Sequence, residues 1–293
     1  MLFHLGPAYA RLADAARTGQ DAYSLAHGGV PFSASLGAPG GGEETFSRAM
    51  AAGDGLVSGR LLARARAWGR DARIVDVGGA HGSLLARLLA LAGNPATRGV
   101  LFDPRAVVAA AWAAWGEAGG GGGARAPSPP VDFVGGDLFD ASTLPRLGPG
   151  TVAVARFILH DWGDADAVRI LRALRAAAVV VEEDEEKVMD GGGRQQGDTG
   201  AAPVARTPPS LCLVELVLPP APTTPPPHPL LALADVNMLA AVRGGRERTA
   251  GEWGALLERG GWRLVGVAPV GIVSLLEAVP AGVGGGGRGG LEE

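Results

Sequence analysis

The chain has 293 residues, and its 26 basic and 30 acidic side chains give a formal net charge of −4. This balance argues against a nucleic-acid-binding protein, because such proteins carry a basic patch or stripe. The single cysteine, Cys212, excludes an intramolecular disulfide and a metal site built from cysteines, and we expect a cytoplasmic protein because the sequence shows neither a membrane-length apolar run nor a secretory signal.

Short apolar runs that predict strands alternate with helical patterns along most of the chain. Weak helical patterning over 1–30 and a glycine-rich turn at 37–42 come first, and 43–69 suits one or two helices. The predicted strands are 73–77, 99–102, 131–134, 151–157, 211–218, 262–269 and 272–278. The predicted helices are 83–91, 106–118, 165–177, 230–242 and 250–260. The alternation predicts an α/β fold with a mainly parallel seven-stranded sheet and an antiparallel hairpin at one edge.

Three stretches fall outside this alternation. Residues 119–130 are rich in glycine and proline, which predicts a flexible spacer. Residues 182–210 begin with EEDEEK and continue through glycine-rich sequence, so we expect a disordered insert there. Residues 281–293 form a glycine-rich tail for which we also expect disorder. The folded region is therefore predicted to be interrupted twice by segments that add nothing to its core.

A glycine-rich loop follows the first predicted strand, between Asp76 and Gly82. The dinucleotide-binding pattern G-x-G-x-x-G fails at Ala80 and His81, which argues against an NAD-dependent oxidoreductase. The pattern that fits, acidic-x-Gly-x-small-x-Gly, suits a nucleoside with a cationic sulfonium and an amino-acid tail. An ordinary strand-to-helix turn remains an alternative.

Two carboxylates follow the next predicted strands. Asp103 ends the second strand and could accept hydrogen bonds from both ribose hydroxyls, although it could also cap the helix that Pro104 begins. Asp137 follows the third strand and could accept from an adenine amino group, or be a turn aspartate after two glycines. Because parallel strands end at one edge of the sheet, the glycine loop and both carboxylates are predicted to meet where open α/β sheets bind ligands.

The catalytic candidates are one histidine and two glutamates. His160 follows the fourth predicted strand and could act as a general base, or be a capping or surface residue. Glu215 interrupts an apolar strand and could face the ligand, or occupy an exposed edge strand. Glu247 precedes a helix and could orient the imidazole, or be a first-turn glutamate that the helix dipole favours. Trp162 could cover a flat adenine ring, or be a packing aromatic.

The motifs VDVGGAHG, FD, GGDLF, ILHDWGDADAVRIL, LVELVLPP and DVNMLAAVRGGRERTAGEW follow one another in this order. Together they resemble the small-molecule O-methyltransferase family of the plant caffeic-acid and acetylserotonin (hydroxyindole) type, over about residues 43–279. ILHDW followed by GGRERT is the specific part of the match. The resemblance implies a class I S-adenosylmethionine-dependent methyltransferase fold and a small aromatic hydroxyl as methyl acceptor, with no metal.

The resemblance also implies roles for individual residues. His160 would be the general base, with Glu215 and Glu247 flanking and orienting it. Asp161 and Met238 would contact the acceptor. The predicted contacts to S-adenosylmethionine are Gly78, Gly79, Gly82, Asp103, Asp137, Leu138, Arg156 and Trp162, with Arg156 at a position where the family usually has lysine.

The N-terminal region departs from the family pattern. Members carry a helical dimerisation domain there, of which residues 1–42 resemble only the last portion; residues 43–280 would be the catalytic domain. We therefore expect a homodimer weakened by the short N-terminus, and a catalytically weak or inactive cofactor-binding relic is the alternative function. Glu182 also ends a strand-like run and competes with Glu215 for the same role, but Glu215 is preferred because the following Pro219 and Pro220 match the family.

Overall fold

The computed structural model describes residues 2–36, 73–92, 94, 96–118, 131–179, 207–220 and 229–282. The predicted turn at 37–42, the predicted helices within 43–69, the spacer 119–130, most of the insert and most of the tail lie outside the described residues. The end of the predicted insert is part of the fold, because Gly150 N donates to Thr207 O at 2.7 Å and β5 begins at Ser210.

Seven strands form one sheet. They are β1 (Arg73–Val77), β2 (Arg98–Asp103), β3 (Val131–Gly135), β4 (Thr151–Arg156), β5 (Ser210–Glu215), β8 (Trp262–Val270) and β9 (Val273–Pro280). Their order is β3-β2-β1-β4-β5-β9-β8. Strands β1 to β5 pair in parallel, and β9 is antiparallel to both β5 and β8. The predicted mainly parallel sheet with a hairpin at one edge is confirmed.

Helices precede, connect and follow these strands. They are α1 (Leu2–Tyr9), α2 (Leu12–Thr18), α3 (Ala22–Ala26), α4 (Phe32–Leu36), α5 (Ser83–Ala92), α6 (Arg105–Ala118), α7 (Asp164–Ala177), α8 (Pro229–Ala241) and α9 (Ala250–Arg259), with a 3₁₀ turn at Leu159–Asp161. Among the described residues, none of these helices has the length and apolarity needed to cross a membrane.

Both faces of the sheet are buried, because successive strand side chains point to opposite sides. Val75 and Val77 pack on the face that α7 and α9 cover. Ile74 packs with the leucines of α5 on the other face. This double burial explains why the parallel strands are continuous apolar runs in the sequence.

The chain reverses its direction of strand addition beside β1. From β1 it adds β2 and β3 on one side, and it then returns to place β4 on the other side of β1. Such a switch point leaves a crevice at the carboxyl ends of the strands, where open α/β sheets bind ligands. The loops after β1 and β4 therefore border a candidate site.

Two predicted strand ends are wrong. The run 211–218 is not one strand: β5 ends at Glu215, and β6 (Val217–Leu218) pairs in parallel with β7 (Arg248–Thr249) in a separate two-stranded sheet. The strand predicted to reach Phe157 ends at Arg156, because Phe157 has a φ of 55°. In both places the residues stay apolar while the backbone changes direction, so composition gives no signal.

The N-terminal helices pack against α8. Leu5, Ala8, Tyr23 and Ala241 belong to one buried apolar cluster at this contact. The Tyr9 hydroxyl donates to the side-chain oxygen of Asn237 on α8. This contact holds α8 in place beside the segment that carries Glu247.

Candidate active site

The glycine loop has φ angles that residues with a side chain rarely adopt. Gly78 and Gly82 have φ values of 71° and 77°, in the left-handed region that glycine adopts without strain. A Cβ on Gly78 would lie 2.3 Å from Cδ1 of Ile158, which belongs to the loop after β4. Glycine is therefore required at position 78 both by the backbone conformation and by the close approach of the two loops.

Asp103 is tied to this glycine loop. Its Oδ2 accepts a hydrogen bond from Ala80 N at 2.8 Å, because the β1–β2 register brings the ends of the two strands together. Burial raises the pKa of Asp103, although the Ala80 N–H and the nearby His81 oppose the shift. The carboxylate thus lies at the crevice with one oxygen fixed by the loop.

Asp137 lies in an exposed turn after β3. Its Oδ1 accepts from Phe139 N at 2.9 Å, which is the hydrogen bond of an Asx turn. This contact supports the turn interpretation, and a second role toward adenine stays a prediction. The structure places Asp137 at the same edge of the sheet as Asp103, since β3 pairs with β2 in parallel up to Asp103 and Gly135.

The remaining predicted cofactor contacts border the same crevice. Leu138 is half-buried and packs against the core. The ring of Trp162 meets that of Phe139 edge-on at 4.9 Å, which brings the loop after β4 against the loop after β3. Arg156 is the last residue of β4, and its guanidinium lies 5.7 Å from the centre of the Phe157 ring. Their roles in binding a ligand stay predictions.

His160 is buried in the 3₁₀ turn after β4, beside two fully enclosed carboxylates. Its Nδ1 lies 3.0 Å from Glu247 Oε1 and 3.8 Å from Glu215 Oε2. Its Nε2 faces the other way and lies 3.4 Å from Asp161 Oδ1. Glu215 Oε1 also accepts from Leu159 N at 3.2 Å. The imidazole is therefore held from its Nδ1 side, and Nε2 is the ring atom nearer to the partly exposed Asp161.

Glu215 is not on an exposed edge strand, which was the alternative for this residue. It is fully buried, and β5 lies between β4 and β9. Glu247 is also buried, and its N–H donates to Asp235 of α8 at 3.1 Å. Both glutamates thus face the interior of the site.

The two carboxylates change the proton affinity of the site. Burial alone would lower the pKa of His160, but the charge of Glu215 and the hydrogen bond to Glu247 raise it to about 9. Burial raises the pKa of Glu215 to about 7. The carboxylates therefore favour the imidazolium, which is the form that His160 takes once it has received a proton.

These shifts predict that the protein loses stability as the pH rises. At both groups the folded state binds protons more tightly than the unfolded chain does. The contribution of His160 to the free energy of unfolding is therefore complete below the pKa of the unfolded chain, and it is lost as the pH rises past about 9. We expect the free energy of unfolding of the wild type to approach that of His160→Gln between pH 6.5 and 9. Urea titrations at several pH values measure this difference, and a constant difference would contradict the prediction.

The same three side chains form a possible metal-ligand group. One ligand atom from each of His160, Glu215 and Glu247 lies within 4.8 Å of the others. Glu215 Oε2 and Glu247 Oε2 are buried without a hydrogen-bond partner among the described residues. The sequence gives no sign of this proximity, and the expectation that no metal is used requires the chelation test given below.

Arg248 was missed by the sequence analysis. Its side chain is fully buried and donates to Trp162 O at 2.8 Å and to Asp164 Oδ1 at 2.8 Å. It lies within the GGRERT motif, but arginine is usually exposed, so only a folded structure shows its burial. Met238 lies half-buried on α8, three residues after Asp235, and its contact with an acceptor stays a prediction.

A family model described as the O-methyltransferase domain matches residues 9–184. The chain belongs to this O-methyltransferase family. The resemblance inferred from the motifs is thereby confirmed.

Two curated relatives have names that describe different activities. The chain is 34% identical over 210 residues to O-demethylpuromycin-O-methyltransferase of Streptomyces alboniger, covering 71% of this chain and 45% of that protein. It is 31% identical over 269 residues to 8-amino-8-demethylriboflavin N,N-dimethyltransferase of Streptomyces davaonensis, covering 91% of this chain and 64% of that protein. The chain therefore spans about half to two thirds of the length of these relatives.

A solved O-methyltransferase supports the fold assignment. The chain resembles NcsB1 from neocarzinostatin biosynthesis, crystallised with S-adenosylmethionine and 2-hydroxy-5-methyl naphthoic acid, with a TM-score of 0.68 and 25% identity. The match covers 93% of this chain and 68% of that one. The predicted class I methyltransferase fold is confirmed.

Proposed function

We propose that this chain transfers a methyl group from S-adenosylmethionine to a hydroxyl of a small aromatic acceptor, with His160 as the general base. The observation that carries the proposal is the hydrogen bond between His160 Nδ1 and Glu247 Oε1 at 3.0 Å, which leaves Nε2 to receive a proton. A base held in one orientation by a carboxylate, at the ligand-binding edge of a parallel sheet, suits the activation of a weakly acidic hydroxyl.

The residues at the crevice fit the proposed methyl donor. Half-buried Asp103 offers a carboxyl acceptor for ribose hydroxyls, and the left-handed backbone at Gly78 and Gly82 lets the loop turn tightly at the end of β1. The chain's own residues that would hold the donor are Gly78, Gly79, Gly82, Asp103, Asp137, Leu138, Arg156 and Trp162. When bound, the donor supplies an electrophilic methyl group on a sulfonium, which needs no metal for activation.

In its neutral form, with Nδ1–H donating to Glu247, His160 would take the hydroxyl proton at Nε2 as the oxygen bonds to the methyl carbon and the carbon–sulfur bond breaks. Glu247 would fix the ring and stabilise the imidazolium, and Glu215 would add its charge from 3.8 Å. Asp161, next to Nε2, and Met238 would contact the acceptor. The rate then depends mainly on how well the site aligns the two reactants.

N-methylation is the second candidate, because one relative is named as an N,N-dimethyltransferase. A neutral aromatic amine already carries the lone pair that attacks, so it needs no base before the methyl group moves. The two buried carboxylates beside His160 favour a hydroxyl acceptor, because they stabilise an imidazolium that has taken the hydroxyl proton. Dimerisation and a cytoplasmic location remain predictions.

The test combines calorimetry and turnover. We expect S-adenosylhomocysteine to bind, and a panel of phenols to be methylated faster than the matched anilines. Turnover should persist after dialysis against EDTA, whereas a loss that Mg²⁺ or Zn²⁺ restores would overturn the metal-free mechanism. Binding without turnover on any acceptor would indicate a cofactor-binding relic, and faster turnover of anilines would favour N-methylation.

A further inference from the structure

We infer that Arg248 is a positioning residue, which fixes the contact between His160 and Glu247 by joining the two segments that carry them. The inference rests on the proposed function for its kinetic consequences and on the geometry alone for its structural ones. Arg248 follows Glu247 directly in the chain, and its side chain is fully buried.

The guanidinium of Arg248 holds the turn that carries His160. Its Nη1 donates to Leu159 O at 3.2 Å and its Nη2 to Trp162 O at 2.8 Å, so the two carbonyls lie on either side of His160 in the chain. In return, Arg246 N donates to His160 O at 2.9 Å. The turn is thus held through backbone atoms, which a change of side chain within the turn would not release.

A charged contact fixes the guanidinium itself. Its Nε and Nη2 lie 3.1 and 2.8 Å from Asp164 Oδ1, and its carbon lies 5.0 Å from the centre of the Trp253 ring. Partial burial would raise the pKa of Asp164, but the hydrogen bond and charge of Arg248 outweigh it and lower that pKa. A buried arginine is stable only when its donors are satisfied in this way.

The backbone of Arg248 holds the third segment of the site. It pairs with Val217 in the short parallel sheet of β6 and β7, two residues after Glu215. One residue therefore joins all three segments: its backbone fixes the Glu215 segment, its side chain fixes the His160 turn, and its neighbour in the chain is Glu247. A lysine could not replace it, because an ammonium lacks the planar fork that reaches two carbonyls and a carboxylate together.

The experiment compares Arg248→Lys with Arg259→Lys. Arg259 is a matched control, because it lies 4.0 Å from the same Asp164 but is 54% exposed. We expect Arg248→Lys to lower kcat by about 10²-fold with little change in the KM of the acceptor, since a displacement of about 1 Å in an active site costs that much. Arg259→Lys should keep the wild-type kcat.

A second readout does not depend on turnover. In NMR spectra, the Nδ1 proton of the His160 imidazole, assigned by its loss in His160→Gln, should be shifted downfield by the hydrogen bond to Glu247 in the wild type and should lie upfield of that position in Arg248→Lys. A folded Arg248→Lys protein with the wild-type signal overturns the inference, whatever its thermal stability. If that variant does not fold, Asp164→Asn, which keeps the shape and removes the charge, should move the signal in the same direction, and an unchanged signal overturns the inference. Absence of turnover in the wild type would refute the proposed function and leave the NMR signal decisive.

Discussion

Replacing His160 by alanine should lower kcat by about 10²- to 10⁴-fold, the range that a general base contributes, with little change in the affinity for S-adenosylhomocysteine. The reason is that the alanine variant has no group to receive the hydroxyl proton, whereas the glycine loop and Asp103 belong to the other side of the crevice. Steady-state kinetics on the best phenol of the panel and calorimetry with the product measure the two effects.

In His160→Ala, the effect on folding stability must be measured separately from the effect on kcat. The change leaves Glu215 and Glu247 buried without the imidazole beside them, which destabilises a protein strongly. His160→Gln is the control, because an amide can still donate to Glu247 but cannot accept a proton. Substantial turnover in a folded His160→Gln protein would show that another group is the base.

Asp103→Ala should weaken the binding of S-adenosylhomocysteine by about 10²-fold, as expected for the loss of hydrogen bonds to a charged acceptor. Ala80 N also loses its partner at 2.8 Å, so the glycine loop loses one of its anchors. Asp132→Ala is the matched control, because Asp132 is an exposed carboxylate on β3. An unchanged dissociation constant in Asp103→Ala would remove this residue from the ribose site.

The order of elements was predictable because local patterns determine it. Apolar runs such as 73–77 and 99–102 are buried on both faces, and the helices between the strands have their own periodicity. The end of β5 at Glu215 was not predictable, because the apolar run continues into β6. The partner of β6 is β7, about 30 residues later in the chain, and no local pattern reports such a pairing.

The residue types at the site were predictable, but their contacts were not. Motif order indicated His160, Glu215 and Glu247, and the structure brings them together. Sequence could not tell that Glu247 lies nearer to Nδ1 than Glu215 does, since side-chain distances depend on how three separate segments pack. Arg248 shows the same limit, because an arginine next to a catalytic candidate looks like a solvated residue until its burial is known.

The short ladder between β6 and β7 has a consequence for how such a protein can diversify. Main-chain bonds between β6 and β7 join the segments that carry the two glutamates, so substitutions on the surrounding surface leave this join intact. The half-buried flank of α8 around Met238 contributes only Asp235 to the site of these glutamates. Substitutions along that flank would therefore change which acceptor the proposed site prefers, while the residues that take and stabilise the proton stay the same.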